Sequence, residues 1–387
     1  MKNKKLLFIL AAVAILAAVL IIVTQFQKPQ ENSENIIKIG AILPLTGNLA
    51  IMGEMERNAL LLAKNECNTK KLLKNKKLEI IIGDSKGEGK EGAALAQRFI
   101  QIDRVNVLWS SLTGVSYSVE PIATANKILH IAFCMDPEIS QKSGFVFRLY
   151  EGMMDEGQAL MKYLESDKSP WKVGIIFVRM PATEKVVKEL FVPEIKKQGH
   201  KLVFAESYEF QNKDFRTLLL KAKSYEPDYL IIYDYGFSLP LIFDALNSIG
   251  LLNRVKILGG WGFLYSLISN NVDPKLIDGV IVAGPSFIIS KSEKATNFIN
   301  EFKKSYGKEP NFDAGFAYDS LMILCEAIRK SKETKSEEII SNLEEIRDYE
   351  GVMGKLSISN RELKVDMVVG IIKGGKIIDL SNYLKMN

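Results

Sequence analysis

Short apolar segments alternate with amphipathic segments along most of the chain, and this alternation constrains the fold more than any other feature. In the first third, predicted strands and helices follow one another at residues 36–43, 54–67, 78–83, 91–101, 105–109, 115–126 and 128–133. The strands are short and apolar throughout, which is typical of a parallel sheet that helices cover on both faces. The pattern therefore predicts a doubly wound α/β domain.

The same alternation begins again after residue 150, which predicts a second lobe of similar size. It continues at residues 155–165, 172–178, 183–198, 201–206, 215–224, 229–233, 239–249 and 255–258. Helices are then predicted at 294–306, 314–329 and 336–346, and strands near 356–358, 367–372 and 376–378. Because these helices bring no sheet of their own, we expect them to complete a lobe begun earlier. The chain then has to cross between the lobes more than once.

The charged residues are scattered, and they exclude some classes of partner. The chain has 387 residues and a formal charge of +5 from 51 basic and 46 acidic side chains. The densest basic run, Lys70 to Lys77, has no interleaved aromatic residues, so we predict no nucleic-acid partner. The two histidines, His130 and His200, lie far apart, and no Cys/His cluster has metal-ligand spacing. We predict no metal or other cofactor, and we interpret His130 as a buried structural residue.

The cysteines do not form a recognisable framework. Cys67, Cys134 and Cys325 are too few and too widely spread for a set of structural disulfides. We expect three small buried core residues, although one pair could form a bond.

The first 35 residues predict a membrane-associated N-terminus. Residues 1–5 carry three lysines, residues 6–23 are an uninterrupted apolar run, and residues 24–35 are mostly polar. A run of this length makes about 27 Å of helix, enough to cross the hydrocarbon core of a bilayer. No small-x-small cleavage site or cysteine follows it, so we expect an uncleaved transmembrane anchor rather than a cleaved signal peptide. The lysines place the rest of the chain outside the cytoplasm, on the tether formed by residues 24–35.

Several segments, taken in order, resemble one family of proteins. They are IKIGAILPLTGNLAIMGEMERNALLLA (37–63), VNVLWSS (105–111), PIATANKILHIAF (121–133), FVFRLYEG (145–152), KDFRTLLLKAKSYEPDYLIIY (213–233) and YEGVMGKLSIS (349–359). Together they resemble the branched-chain amino-acid-binding proteins, which are type I solute-binding proteins of ABC transporters. The resemblance covers nearly all of the chain after residue 35.

The resemblance implies the periplasmic binding protein type I fold, with two doubly wound Rossmann-like lobes joined by three hinge crossings. It places the crossings near Tyr150-Glu151, Ala283-Gly284 and Met353-Gly354. Lobe 1 then comprises residues 36–150 and 284–353, and lobe 2 comprises residues 151–283 and 354–387. A small-molecule ligand is held in the cleft between the lobes, and the partners are the permease subunits of an ABC importer.

Two other functions are weighed against an importer's binding protein. The extracellular sensing domain of a signalling system would use the same fold and remains the alternative. An enzyme is not expected, because the sequence has no Walker-type phosphate loop, and we interpret the glycine-rich stretch GDSKGEGKEG (83–92) as a solvated turn.

The resemblance also implies where the ligand binds. Ligands of open α/β sheets bind beyond the carboxyl ends of the strands, where a helix N-terminus offers free N–H groups to a carboxylate. Ser116, near the expected start of a helix, matches a family serine that binds this carboxylate; a plain helix cap is its alternative role. Tyr235 matches a tyrosine that faces the ligand from the second lobe. The other predicted lining residues are Met52, Tyr117, Phe133, Met135, Tyr150 and Trp261.

Three of these residues depart from the family pattern. Met135 stands where a hydroxyl residue is common, and Met52 stands where an aromatic residue often precedes the glycine. Trp261 stands where amino-acid binders tend to have an acid, and that acid pairs with the ammonium group of the ligand.

The departure at Trp261 leaves three interpretations open, because an unpaired ammonium is costly to bury. The indole could bind the ammonium through a cation–π contact. A carboxylate of Asp136, Asp234 or Glu151 could replace the missing acid. The ligand could instead be a carboxylate or amide without an ammonium, which the apolar and aromatic lining slightly favours. We therefore predict that leucine, isoleucine and valine bind weakly or not at all.

Overall fold

The computed structural model describes residues 36–167, 169–269, 271–289 and 292–386. Its strands are β1 (Ile36–Leu43), β2 (Lys77–Asp84), β3 (Val107–Ser111), β4 (Leu129–Phe133), β5 (Val146–Arg148), β6 (Lys172–Val178), β7 (Lys201–Tyr208), β8 (Tyr229–Tyr233), β9 (Lys256–Gly259), β10 (Ile281–Pro285), β11 (Tyr349–Glu350), β12 (Lys355–Ser359), β13 (Glu362–Val365), β14 (Met367–Lys373) and β15 (Lys376–Asp379). Its α-helices are α1 (Ala50–Thr69), α2 (Gly89–Arg98), α3 (Thr113–Ala125), α4 (Met153–Ser166), α5 (Pro181–Val186), α6 (Val192–Lys197), α7 (Arg216–Ser224), α8 (Leu239–Ser248), α9 (Trp261–Ser269), α10 (Ser286–Ile289), α11 (Glu293–Tyr306), α12 (Phe312–Lys330), α13 (Ser336–Glu344) and α14 (Leu380–Met386).

The strands form two sheets, one for each lobe. The first has the order β11-β12-β13-β5-β4-β3-β1-β2, and the second has the order β15-β14-β10-β9-β8-β6-β7. The central strands of both sheets are parallel, as the continuously apolar segments predict, and the two-lobe α/β fold is confirmed. The sheets are mixed rather than wholly parallel, because β12 pairs antiparallel with β11 and β13, and β14 with β10 and β15.

Two-residue turns explain two of these antiparallel pairs, β12–β13 and β14–β15. Asn360 and Arg361 join β12 to β13 with φ angles of 53° and 59°, and Gly374 and Gly375 join β14 to β15 with φ angles of 56° and 73°. Positive φ at both central residues is the signature of a type I′ hairpin turn, whose twist matches that of the paired strands. The glycines predicted the second turn, but no glycine marks the first.

The passages between the lobes differ in part from the expected ones. The first includes Tyr150 and Glu151, between β5 and α4. The second follows β10, because Ala283-Gly284 lies inside this strand of the second sheet. The third, expected at Met353-Gly354, is corrected to Asp366. Strands β12 and β13 lie in the first sheet, where Glu362 of β13 pairs in parallel register with Arg148 of β5.

The predicted membrane anchor at residues 6–23 lies outside the described residues, as do residues 1–5 and 24–35 on either side of it. Within the described residues, no helix is long and apolar enough to cross a membrane.

Arg148 links the first passage between the lobes to β13, the strand that precedes the third passage. Its side chain is fully buried, and its Nη1 donates to the backbone oxygens of Tyr150 at 3.1 Å and Glu151 at 2.6 Å. Its Nη2 donates to Oε2 of Glu362 at 3.0 Å. Charge-assisted hydrogen bonds of this kind are the stronger ones in proteins. The guanidinium therefore fixes the chain where it leaves the first lobe.

Two of the cysteines are joined, which corrects the expectation of three free core residues. Cys67 of α1 and Cys325 of α12 form a disulfide bond across a sequence separation of 258 residues. Cys134 is buried and free, as expected. The bond links the segment before the first passage to the segment after the second, so it closes lobe 1 around the insertion of lobe 2.

Removing this disulfide should destabilise the protein. A Cys67→Ala/Cys325→Ala double variant is expected to lose up to about 5 kcal/mol of unfolding free energy, because the unfolded chain regains the entropy of a very long loop. Urea denaturation measures the loss, and Cys134→Ala is the control for removing a buried thiol without breaking the bond. Titration of thiols in denaturant without reductant should count one thiol per chain, and a count of three would contradict the bond.

Candidate functional site

The carboxyl ends of the two sets of parallel strands face each other at the boundary between the lobes. Met135 follows β4 of the first sheet and packs against buried clusters of both lobes. Tyr235 follows β8 of the second sheet and also contacts clusters of both lobes. These two predicted lining residues therefore lie at the inter-lobe boundary, where ligands of such sheets bind.

Helix α3 follows the carboxyl end of β3, the strand next to β4 in the sheet, and its N-terminus has no side-chain cap. Its N-cap residue is Leu112, which makes no capping hydrogen bond and has φ of 76° and ψ of 142°. Residues with a side chain rarely adopt this conformation, which is found at strained, functional positions. The N–H groups of Thr113, Gly114 and Val115 have no acceptor within the helix, since the first turn of any helix leaves them free. Together with the helix dipole they form a site suited to an anion.

Ser116 does not occupy the helix N-terminus that was expected for it. Helix α3 begins at Thr113, so Ser116 lies inside the first turn and its N–H donates to the backbone oxygen of Leu112 at 2.9 Å. Its side chain is fully buried, and its hydroxyl lies 2.8 Å from Oγ of Ser110. The hydroxyl is thus already hydrogen-bonded within lobe 1, and the predicted contact of Ser116 with the ligand stays a prediction.

Two of the predicted aromatic residues belong to the core of lobe 1. The Phe133 ring packs between the rings of Trp109 and Tyr150, at centroid distances of 4.6 and 4.5 Å. Tyr150 is almost fully buried, and its hydroxyl donates to Oδ1 of Asp313 at 2.7 Å. Both rings are therefore held by contacts within lobe 1, and their assignment to the ligand lining stays a prediction.

The remaining predicted residues lie at the edges of the site. Tyr117 is half-buried and its hydroxyl donates to Oδ2 of Asp136 at 3.0 Å. Met52 is half-buried in the first turn of α1 rather than in a loop. Trp261 begins helix α9, and its side chain lies outside what the structure describes.

Glu151 carries a buried carboxyl group at the first passage. Its side chain is 3% exposed, and neither carboxyl oxygen has a hydrogen-bond partner among the described residues. Burial, followed by repulsion from Glu156 and Asp313, raises its pKa well above the ordinary value. Strongly shifted carboxyl groups concentrate at functional sites, which marks Glu151 as a candidate.

Further buried acids surround Glu151. Glu156 of α4 lies against Gly260, where an added side chain would strike its carboxyl group. Glu56 of α1 accepts a hydrogen bond from the Ser111 hydroxyl at 2.9 Å, and burial raises its pKa well above the ordinary value. Burial also raises the pKa of Asp313 to about 6. Sequence reasoning missed Glu56 and Glu156, although both fall on the apolar stripes of their helices.

The other two carboxylates considered for an ammonium are already occupied. Asp136 accepts hydrogen bonds from the Tyr117 hydroxyl and from the N–H of Glu138, which it caps. Asp234 accepts from the Tyr208 hydroxyl at 2.7 Å and from the N–H groups of Gly236 and Ser238. Both hold local backbone or side chains in place.

A groove of about 380 Å³ also lies between the lobes, and Asp366 of the third passage is among its lining residues. Lys355 and Lys364 line it from lobe 1, and Asp155 and Lys185 from lobe 2. It contains none of the predicted lining residues, so we do not place the ligand there. Within the described residues, no group of three or more His, Cys, Asp or Glu side chains is arranged to hold a metal ion.

The glycine-rich stretch at residues 83–92 contains the letters of two enzyme motifs, Gly-x-Ser-x-Gly at 83–87 and Gly-x-Gly-x-x-Gly at 87–92. Its interpretation as a solvated turn is corrected in part, because Ser85 is fully buried and accepts a hydrogen bond from the N–H of Gly87. Gly89 and Gly92 allow α2 to pack closely on α3, where added side chains would strike Ser118 and Val115. The serine and glycines thus serve a turn and helix packing.

His130 is the buried structural histidine that the sequence predicted. Its side chain is fully buried, and its Nε2 lies 2.7 Å from Oγ of Ser110. Burial lowers its pKa to about 3, so the ring is neutral in the folded protein at neutral pH. Through Ser110 it supports the hydroxyl of Ser116 beneath the strand ends.

His130 should make stability fall in mild acid. Between pH 6.5 and about 3 the unfolded chain binds a proton at this residue that the folded protein excludes, so its contribution to stability is lost as the pH falls. The stability advantage of wild type over a His130→Gln variant should shrink by about 1.4 kcal/mol for each pH unit below 6.5. Urea denaturation of both proteins from pH 7 to pH 4 measures it. The contributions of the buried acids cancel in this comparison because both proteins contain them. Parallel plots of unfolding free energy against pH would contradict the prediction, since they would show that folding does not lower the pKa of His130.

Two α/β lobes, with residues after the strand ends of each sheet packed against both lobes, define the class of two-lobed ligand-binding proteins. Residues 36–376 match the family model described as periplasmic binding protein. The chain belongs to the periplasmic binding protein family.

Known relatives share the family at modest sequence identity. The Leu/Ile/Val-binding protein homolog 2 of Brucella abortus is 22% identical over 325 residues, covering 83% of this chain and 85% of its own. A solute-binding protein of an ABC transporter from Rhodopseudomonas palustris, solved with 3,4-dihydroxy benzoic acid, superposes with a TM-score of 0.72 at 21% identity, covering 90% of this chain and 97% of its own. A branched-chain amino acid transporter substrate-binding protein of Streptococcus pneumoniae, solved with isoleucine, gives a TM-score of 0.69 at 21% identity, covering 88% and 97%. The two structures show a shared fold.

Proposed function

We propose that this chain is an extracytoplasmic solute-binding protein of an ABC importer. It binds a small amino-acid-like or carboxylate ligand between its lobes, and the lobes close around the ligand by rotation at the three passages. The observation that carries the proposal is the uncapped N-terminus of α3, which follows β3. The neighbouring strand β4 is followed by Met135, which packs against both lobes. The free N–H groups and partial positive charge of α3 suit an anionic group.

The ligands of the relatives support an anionic group. The Streptococcus protein holds isoleucine and the Rhodopseudomonas protein holds a benzoic acid. Both ligands carry a carboxylate, whereas only isoleucine carries an ammonium. A carboxylate is therefore the shared element, and the ammonium is the element that has to be decided for this chain.

Exposed apolar side chains at the strand ends of both lobes support closure. Leu49 and Ile51, which follow β1 in lobe 1, are 42% and 73% exposed. Phe210 and Phe237, which follow β7 and β8 in lobe 2, are 45% and 53% exposed and pack against each other. Closure would remove some of this surface from water, which is favourable by about 25 cal/mol for each Å² of apolar area.

The membrane location is part of the same proposal. Residues 6–23 would hold the protein on the outer face of the cytoplasmic membrane, next to the permease subunits that receive its ligand. N-terminal sequencing of the protein purified from its membrane fraction decides the matter, and a mature start after Val23 would replace the anchored form with a released one.

A ligand should stabilise the protein and reduce its size. A thermal-shift screen over amino acids, amides, aliphatic carboxylates and aromatic acids should identify compounds that raise the melting temperature, because they bind only the folded state. Small-angle scattering at saturation with such a compound should then show a smaller radius of gyration. No binding by any compound would contradict the binding role, and an unchanged radius would contradict closure.

A negative charge at the N-terminus of α3 should compete with the ligand. Gly114 is exposed, and an added side chain there meets no atom within 4 Å. Gly114→Asp should leave the fold intact, since an acid in the first helical turn is favourable by about 0.3–1 kcal/mol. Its carboxylate would occupy the free N–H groups and repel an anion, so affinity for the tightest carboxylate of the screen should fall at least about tenfold.

Gly114→Ala is the matched control, because it adds a side chain at the same place without a charge. It should bind as wild type does in the same calorimetric titration. Wild-type affinity in Gly114→Asp would show that the anion does not bind at this helix.

A further inference from the structure

The carboxyl group of Glu151 is not needed by any contact that the structure describes. Neither of its oxygens has a hydrogen-bond partner among the described residues, although the side chain is 3% exposed. Its backbone oxygen, in contrast, accepts a hydrogen bond from Arg148. Burying a carboxyl group without partners is unfavourable. A partner from outside the chain would explain why this group is retained.

The surroundings of Glu151 favour a cation as that partner. Lobe 1 places Asp313 and Tyr150 near it, and lobe 2 places Glu156 and Tyr235 near it, so the group lies between the lobes. All four neighbours are acidic or phenolic. The cation that also interacts with Glu151 is Arg148, whose described hydrogen bonds go to two backbone oxygens and to Glu362.

We propose that Glu151 accepts a protonated amine of the ligand. The inference rests on the proposed function and deepens it: the ligand is a small zwitterion, with its ammonium at Glu151 and its anionic group at the N-terminus of α3. An ammonium has three donors and no acceptor, so it can satisfy both free oxygens. The inference reverses the slight preference for an ammonium-free ligand that the apolar lining alone suggests.

The two other acids that were candidates for this role are less suitable. Asp136 and Asp234 already accept hydrogen bonds from a tyrosine hydroxyl and from backbone N–H groups. Recruiting either for an ammonium would disturb the turn that it holds. Glu151 can accept new hydrogen bonds without losing any.

Binding at Glu151 should release a proton. Burial and the nearby acids favour the protonated form of Glu151 in the free protein, whereas pairing with an ammonium requires the ionised form. Affinity should therefore rise with pH until Glu151 is ionised in the free protein. The charged and titratable groups that face it are Arg148, Tyr150, Asp155, Glu156, Tyr233, Tyr235 and Asp313.

Matched pairs of compounds test the ligand class. Calorimetry would compare leucine with 4-methylpentanoate, phenylalanine with 3-phenylpropanoate, and 4-aminobutyrate with butanoate. In any pair that binds, the amine-bearing member should bind at least about tenfold more tightly, as expected for charge-assisted hydrogen bonds. Equal or tighter binding of the amine-free acid would overturn this inference and leave the proposed function standing. A lack of binding in every pair and across the wider screen would overturn both.

A charge-removing variant tests the residue. Glu151→Gln keeps the shape of the side chain, and it should lower affinity for the amine-bearing member about tenfold to a hundredfold while leaving the amine-free acid unaffected. Titrations in buffers of different ionisation enthalpy should show proton release in wild type and none in the variant. The melting temperature of the free variant should not fall, since the carboxyl group makes no hydrogen bond that is lost.

Asp136→Asn is the matched control, because it removes a charge at a neighbouring strand end. It should keep both the preference for the amine and the proton release. Unchanged amine preference in Glu151→Gln, or its loss in Asp136→Asn instead, would overturn the assignment to Glu151.

Discussion

A single buried guanidinium fixes the geometry on which the two lobes depend. Arg148 is the last residue of β5. Its guanidinium donates to the backbone oxygens of Tyr150 and Glu151 and to the carboxylate of Glu362 in β13. A buried charge is tolerated when it is paired and hydrogen-bonded, and here Nη1 and Nη2 of the guanidinium have partners while Nε has none among the described residues. Glu362 also pairs with Arg148 along the strands, so β13 belongs to the first sheet and the last passage follows it at Asp366. The guanidinium also anchors the backbone of Glu151 while leaving the side chain free.

The inter-lobe boundary carries opposite electrostatic preferences at its two ends. The uncapped helix α3 presents N–H groups, and the region around Glu151 presents carboxyl groups whose pKa burial raises. At a pH between the unfolded and the folded pKa, such a carboxyl group is ionised in the unfolded chain but protonated in the folded protein. It therefore lowers the stability of the fold as the pH rises above the pKa of the unfolded chain. The protein accepts this cost at Glu56 and Glu151. Such a trade of stability for binding is common at functional sites.

The sequence predicts the scaffold better than it predicts the site. The bounds of β6 and β8 agree with the apolar segments at 172–178 and 229–233, because a buried parallel strand needs an unbroken apolar run.

Helix α9 was missed because the glycines beside Trp261 suggest a loop. Ser116 was misplaced because the true N-cap, Leu112, is apolar and gives no capping signal. The structure packs Phe133 and Tyr150 in the core of lobe 1, which the sequence did not predict because an aromatic residue near a strand end does not reveal which way its ring points. Their assignment to the ligand lining stays a prediction. Helical periodicity could have found Glu56, which shares a buried face with Ala59, Leu60 and Ala63.

The loop after β9 shows why one substitution in a family pattern does not decide a ligand. Trp261 stands where an acid is common, yet a carboxyl group reaches this loop from another element: Glu156 of α4 lies against Gly260, and only glycine leaves room for it. Glu151, in the connection between β5 and α4, lies close enough to Glu156 for the two carboxyl groups to repel each other. Carboxyl groups are therefore delivered from the first passage and α4 rather than from the β9 loop. Recognition of an ammonium depends on where a carboxylate lies in space, and the fold can supply it from either lobe connection. The specificity of this chain has to be argued from the buried carboxyl groups and not from position 261 alone.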